Sequence, residues 1–98
     1  MRTPESFEKE DIKKFLETLG PTCWHYAPFM KGFGKNGVPD RVGVYQGRFF
    51  GIEVKRDANT RPTPIQLRRM AEIQKAGGVA IAGNAEVVIA EFKRIFGV

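Results

Sequence analysis

The sequence predicts one α/β domain in which helices cover a mixed β-sheet. Apolar residues recur with a helical period in some segments and with a strand-like pattern in others, and these segments follow the order αβββαβα. No internal repeat, linker or low-complexity tract divides residues 1–98. A chain of 98 residues with 42% hydrophobic residues can build one thin packed core without a disulfide or a structural metal.

A helix and a strand are predicted in the first third of the chain. Thr3 is placed to cap a helix that Gly20-Pro21 ends. Residues 22–30 are rich in aromatic and β-forming side chains, which predicts the first strand. The glycine-rich segment 31–37 then predicts a loop.

The next two strands are predicted to form a β-hairpin. Residues 40–45 and 48–56 alternate or are wholly apolar, and Gln46-Gly47 separates them. A short separation of this kind favours antiparallel pairing of the two strands.

The last third of the chain predicts a helix, a strand and a second helix. Residues 63–66 have the pattern of a capping box, which opens a helix that Gly77-Gly78 ends. Residues 79–82 read as a short buried strand, and Asn84 caps a final helix that extends to Phe96.

The hairpin brings acidic and basic side chains together. A turn at Gln46-Gly47 places Asp40 opposite Glu53, whereas a turn one residue later places Asp40 opposite Lys55. Both registers keep the three side chains on one face, because alternate residues of a strand point the same way. The sequence does not choose between the two registers.

This cluster predicts a divalent-metal site. Facing carboxylates such as those of Asp40 and Glu53 repel each other unless a cation lies between them, and their hard oxygen ligands suit Mg²⁺ or Mn²⁺. Such an ion can acidify a bound water and neutralise charge on a reacting phosphate. Lys55 could hold the phosphate or the attacking water as a cation, or act as a base once it has lost its proton.

The net charge indicates the class of binding partner, and the cysteine content indicates the cellular compartment. Sixteen Lys and Arg against eleven Asp and Glu give a net charge of +5, which favours a polyanion, with nucleic acid as the first candidate. Cys23 is the only cysteine, so we expect neither an intramolecular disulfide nor a cysteine-rich zinc site. With no apolar run suited to a signal peptide or membrane span, we expect an intracellular, reducing location.

Three short motifs resemble the virus-type replication-repair nuclease (VRR-NUC) branch of the PD-(D/E)XK nuclease superfamily. They are Gly37-Val38-Pro39-Asp40-Arg41, then Glu53-Val54-Lys55-Arg56, then Thr63-Pro64-Ile65-Gln66. The resemblance spans nearly the whole chain. It implies a restriction-endonuclease-like αβββαβ core, a mixed sheet flanked by helices, here followed by a C-terminal helix.

The resemblance also implies roles for individual residues. Asp40 and Glu53 would bind Mg²⁺ or Mn²⁺, and the backbone carbonyl of Val54 would be a further ligand. Lys55 would be the catalytic lysine, and Gln66 would help to shape the site. The implied activity is that of an endodeoxyribonuclease.

The family places one more acid in its first helix, as a catalytic residue and a candidate metal ligand. Glu5 matches best by its distance from Leu19-Gly20, with Glu8 as the alternative. Spacing alone does not separate them, because Glu8 lies four residues before Ile12, which forms an apolar stripe of this helix with Phe15, Leu16 and Leu19.

Stand-alone members of this branch resemble junction-cutting enzymes that act as homodimers on four-way DNA. Two equivalent nicks need two sites related by a twofold axis, which a C2 dimer supplies. We therefore expect DNA, a four-way junction among the candidates, and a second copy of the chain as partners. The alternatives are a non-catalytic nucleic-acid-binding module of the same fold, and a nuclease of the same chemistry acting exonucleolytically or on RNA.

Basic residues around the site are the candidates for phosphate binding. They are Lys31, Lys35, Arg41, Arg56 and Arg61. Residues 32–37 match G-x-G-x-x-G, but a predicted strand follows them where a dinucleotide site needs a helix, so we expect no nucleotide cofactor. His25 has no evident partners for catalysis and is interpreted as structural.

Overall fold

The elements follow the predicted order in a computed structural model that describes residues 3–29 and 34–98. The α/β class is therefore confirmed. The elements are α1 (Pro4–Thr18), β1 (Cys23–Tyr26), β2 (Arg41–Tyr45), β3 (Arg48–Val54), α2 (Pro64–Lys75), β4 (Val79–Gly83) and α3 (Ala85–Phe96), with a 3₁₀ turn at Gly20–Thr22. No helix within the described ranges combines the length and apolarity needed to cross a bilayer.

Strands β1 to β4 form one mixed sheet in the order β1-β2-β3-β4. Its first two pairings are antiparallel, and β4 lies parallel to β3. Tyr45 pairs with Arg48, and Gln46 and Gly47 between them have φ of 52° and 75°, the positive values that a type I′ turn requires. The first of the two hairpin registers is thus the one adopted.

The two faces of the sheet have different neighbours. Phe50, Ile52 and Val54 of β3 are fully buried in the core. Gly51 points the opposite way, because a Cβ there would lie 3.1 Å from the side chain of Ile73 on α2. Since side chains alternate along a strand, Glu53 lies on the α2 face and is separated from the core by the sheet itself.

The core is built around aromatic rings contributed by the sheet and α3. The ring of Phe92 lies 5.4 Å from that of Phe50, 5.7 Å from that of Tyr45 and 4.5 Å from that of Phe96. Phe92 and Phe96 are almost completely buried, and Ile95 packs partly against the same cluster. The C-terminal helix therefore completes the core of its own chain.

Helices α1, α2 and α3 begin at the caps that the sequence predicts. The side chain of Thr3 accepts a hydrogen bond from the backbone N–H of Ser6, and that of Asn84 accepts one from α3. Thr63 and Gln66 form a complete capping box at the start of α2. These local contacts satisfy N–H groups that would otherwise lack partners.

The first strand is shorter than predicted. Of residues 22–30, only Cys23–Tyr26 are in β1, while Thr22 belongs to the 3₁₀ turn and residue 30 lies outside the described part. Proline at position 28 has no N–H to donate to a neighbouring strand. Tyr26 pairs with Val42, and β2 begins at Arg41, so β2 offers only one further residue with which a longer β1 could pair. The third strand likewise ends at Val54, two residues earlier than predicted.

Candidate active site

Two carboxylates meet at the end of the β2–β3 hairpin. Asp40 immediately precedes β2, and its Oδ2 accepts a hydrogen bond of 2.8 Å from the backbone N–H of Val54. Glu53 is only 3% exposed. Its burial, followed by the neighbouring Asp40 carboxylate, raises the pKa of Glu53 to about 8. This pair of acids would be stabilised by a cation between them.

The backbone around Asp40 is held by close packing on β3. A Cβ at Gly51 would come within 2.7 Å of the Pro39 ring, so only glycine leaves room for the proline to lie against the strand. Pro39 is itself buried and has a restricted φ. The Pro39-Asp40 step therefore enters β2 in a constrained geometry.

Gln66 joins the other polar groups of the site through one amide. Its Nε2 donates a hydrogen bond of 2.7 Å to Glu53 Oε1. Its Oε1 accepts from Lys55 Nζ at 2.8 Å and from the backbone N–H of Thr63 at 2.9 Å. The residue that completes the helix cap thus also bridges the acid and the lysine of the site.

Lys55 is a buried lysine with polar partners on both sides. It is 9% exposed, and its Nζ lies 3.7 Å from Glu53 Oε1 in addition to its bond to Gln66. Its backbone N–H donates to the carbonyl of Gly83 at 2.8 Å, which holds the residue beside β4. Within the described ranges, no buried side-chain polar atom lacks a hydrogen-bond partner.

Helix α1 brings an acidic residue, Glu5, and a basic residue, Lys9, close to the site. Lys9 Nζ lies 3.6 Å from Asp40 Oδ1 and 4.0 Å from Glu5, and the charge of Glu5 contributes to the raised pKa of Glu53. The Oε1 of Glu8 accepts instead from the backbone N–H of Ala85, at the start of α3. Glu5 is therefore the first-helix acid whose charge acts at the site.

Lys9 was not among the predicted site residues, although the sequence carries a signal for it. It follows Glu5 by four residues, and residues with this spacing lie on one face of a helix. A helix that turns Glu5 toward the carboxylates therefore turns Lys9 toward them as well.

The site opens into a cavity of about 430 Å³. Lys9, Asp40, Glu53 and Gln66 line it, together with residues of segments 27–28 and 34–39. A polar cavity lined by both carboxylates has room for a charged group such as a hydrated phosphate.

The donor set fits a cation that retains much of its water. Among residues 3–29 and 34–98, no three His, Cys, Asp or Glu side chains converge on one point. The candidate protein ligands are therefore Asp40, Glu53 and a backbone oxygen such as that of Val54. Mg²⁺ suits this arrangement, since it commonly binds one or two carboxylates and keeps several waters.

Arg41 lies away from this cavity. Adjacent residues of an extended chain point to opposite faces, so Arg41 is turned from the face that Asp40 shares with Glu53. Its Nη1 lies 2.9 Å from Nδ1 of His25, and burial and the Arg41 charge lower the pKa of His25. The neutral imidazole can accept this hydrogen bond, which gives His25 a structural contact. The same alternation, applied to the sequence, would have separated Arg41 from the site.

The other basic residues predicted to bind phosphates do not form one cluster among the described residues. Lys31 lies outside the residues that the structure describes. Lys35 is exposed beside an apolar cavity that adjoins the site. Arg56 is exposed just beyond β3, 3.4 Å from a carboxylate oxygen of Asp57, and Arg61 is exposed in the following connection.

Comparison with known proteins identifies a similar structure. One solved structure, titled "VRR_NUC domain", superposes on this chain with a TM-score of 0.76 at 29% sequence identity. The similarity covers 94% of this chain and 97% of that chain. Neither the protein-family models nor the curated proteins gave a match.

Proposed function

We propose that this chain, a VRR-NUC-type domain by its similarity to a solved VRR-NUC domain, is a metal-dependent endonuclease that hydrolyses DNA phosphodiester bonds. The observation that carries this proposal is the pairing of the buried Glu53 with the partly exposed Asp40, beside Lys55 and the bridging amide of Gln66. Structural packing alone does not account for two repelling acids and a lysine on the α2 face of one hairpin.

The proposed metal is Mg²⁺ or Mn²⁺, held by Asp40, Glu53 and the backbone carbonyl of Val54. When bound, such an ion polarises a phosphoryl oxygen and acidifies a coordinated water. Glu5 is nearly half exposed on α1, and its charge adds to the negative potential around Glu53. The raised pKa of Glu53 and the hardness of the carboxylate oxygens support this assignment.

Lys55 and Gln66 have distinct proposed tasks. The contacts of Lys55 Nζ are an amide oxygen and a carboxylate oxygen, which are both acceptors and suit an ammonium group. As a cation, it would hold the attacking water or the scissile phosphate by charge-assisted hydrogen bonds. Gln66 would orient Lys55 and Glu53 relative to each other, since one rigid amide bonds to both.

The test combines metal binding with DNA cleavage. We expect Asp40→Asn and Glu53→Gln to lose both heat of Mn²⁺ binding in calorimetry and cleavage of labelled DNA. Lys55→Met should lose cleavage while it retains metal binding, because it removes no proposed ligand. Glu91→Gln is the matched control, since Glu91 is an acid on α3 paired with Arg94.

Two results would contradict this assignment. Full cleavage by Glu53→Gln would remove the acid from the mechanism, and unchanged Mn²⁺ binding in both acid variants would place the metal elsewhere. DNA binding without cleavage under any divalent metal would favour a non-catalytic module.

We also propose that the enzyme acts on four-way junctions as a homodimer. The family resemblance and the need for two symmetric nicks support this step, and the net charge of +5 supports a polyanionic substrate. Sedimentation should give twice the monomer mass, and a four-way junction should be cut faster than duplex of equal length. Equal cutting would argue against structural selectivity, and preferential cutting of RNA would redirect the substrate assignment.

A further inference from the structure

One face of the sheet exposes aromatic side chains beside the cavity. Trp24 and Tyr26 of β1 are 65% and 48% exposed, and their ring centroids lie 5.3 Å apart. Val44 of β2 and Phe49 of β3 are also exposed. We call these four residues the aromatic face.

The position of α2 explains why the aromatic face is uncovered. Trp24 pairs with Val44, which pairs with Phe49, so the three side chains share one face of the sheet. That is the face of Gly51, which α2 covers through Ile73 at the β3 and β4 side. Over β1 and β2, no described helix packs on this face.

The aromatic face is continuous with the active site. An apolar cavity of about 550 Å³, lined in part by Tyr26 and Phe49, shares Pro28, Val38 and Pro39 with the cavity of the carboxylates. From strand spacing and residue rise, the Cα of Tyr26 lies about 12 Å from that of Glu53. The corresponding distance from Trp24 is about 16 Å. A few nucleotides can span such distances.

We propose that the aromatic face stacks unpaired nucleobases next to the scissile phosphate. The inference rests on the proposed function, in that nucleic acid must enter the carboxylate cavity. It implies that the substrate has bases displaced from the duplex near the cut, as at a fork, a flap or an opened junction. Exposed aromatic rings bind bases of any sequence through their π-faces.

Charge and position favour bases over a second copy of the chain as the occupant. Lys9 lines the carboxylate cavity and Lys35 lines the adjoining apolar one, so cations accompany the path that a phosphate backbone would follow. A protein partner seated on the aromatic face would also cover the wall that the two cavities share. A nucleic-acid strand that crosses the aromatic face toward Glu53 would contact both the exposed rings and the lysines that line the two cavities.

Trp24 allows a direct test because it is the only tryptophan in the chain. We expect a short oligothymidylate, added to wild-type protein in EDTA, to quench Trp24 emission, and blunt duplex of the same length to quench it much less. Fluorescence anisotropy of labelled oligothymidylate shows independently when the protein is saturated. Unchanged Trp24 emission at saturation would overturn the proposal.

Variants separate stacking from a general effect on the fold. Trp24→Ala and Tyr26→Ala should each weaken oligothymidylate binding by roughly 5- to 150-fold, the loss of one stacking contact, whereas Trp24→Phe should retain most of the affinity. Val87→Ala is the matched control, since it shortens an exposed apolar side chain on α3. Equal affinity in Trp24→Ala and wild type would contradict the proposal.

Cleavage and oligomeric state distinguish the remaining outcomes. Trp24→Ala should reduce the preference for a forked duplex over a continuous one, and Trp24→Phe should preserve it. If Glu53-dependent cleavage occurs but oligothymidylate does not quench Trp24 emission, the stacking inference alone fails. If Trp24 emission is quenched but no divalent metal supports cleavage, the proposed hydrolysis fails instead. A dimer in wild type that becomes a monomer in Trp24→Ala would identify the face as a contact with a second copy and overturn the proposal.

Discussion

Removal of the Glu53 charge should stabilise the metal-free protein at high pH and have little effect at low pH. The pKa of Glu53 rises from 4.5 to about 8 through burial and Asp40, with Lys55 opposing the rise. Because one pKa unit corresponds to about 1.4 kcal/mol, the ionised carboxylate costs the folded state roughly 4–5 kcal/mol. That is a large fraction of the ~5–15 kcal/mol by which domains of this kind are stable.

The direction follows from which state holds the proton. Between pH 4.5 and about 8, the folded protein keeps the Glu53 proton while the unfolded chain has released it. The free energy of unfolding should therefore fall as pH rises through this window and level off above it. Glu53→Gln resembles the protonated acid in shape and can still accept from Gln66, so it should lack this fall.

Urea unfolding in EDTA measures the effect. The difference in free energy of unfolding between Glu53→Gln and wild type should grow by several kcal/mol from about pH 5 to about pH 9. Glu91→Gln should show no such growth, because Glu91 lies in an exposed pair with Arg94. Added Mg²⁺ should narrow the gap by stabilising only the wild type. The same difference at both pH values would refute the reasoning.

Further substitutions test three individual features of the structure. Gln66→Ala should reduce metal affinity or cleavage about 10- to 100-fold, whereas Thr63→Ala should cost about 1 kcal/mol of stability and spare cleavage; equal loss of cleavage would contradict the bridging role of the amide. Phe92→Ala should lower the free energy of unfolding by about 3–5 kcal/mol in urea, because it empties the centre of the core, and a loss below about 1 kcal/mol would contradict that packing. Gln46→Asn should raise stability by roughly 0.5 kcal/mol, since Asn tolerates the positive φ of the turn better, and an unchanged or lower melting temperature would count against it.

Features encoded by neighbouring residues could be predicted from the sequence. The caps at Thr3, Thr63 and Asn84 depend on side chains within three residues of the N–H groups that they satisfy. The hairpin depends on the Gln46-Gly47 turn, and strand alternation then groups Asp40, Glu53 and Lys55 on one face. Two hairpin registers remained open in the sequence, and the observed pairing of Tyr45 with Arg48 selects one of them.

The surroundings of that group required the packing of distant segments. The parallel placement of β4 beside β3 and the crossing of α2 bring Gln66 onto Glu53, thirteen residues away in sequence. The packing of α1 brings Lys9 to Asp40 and turns Glu8 to α3.

The sequence by itself determined the order of the elements, the helix caps and the three residues at the hairpin end. Only the tertiary structure decided that Gln66 bridges two of them, that Glu5 rather than Glu8 raises the pKa of Glu53, and that Trp24 stays uncovered. The physical reason is that turn geometry and side-chain alternation are local, so they determine which way a residue points along its own strand. What lies on that side depends on how segments distant in sequence pack to bury the apolar core.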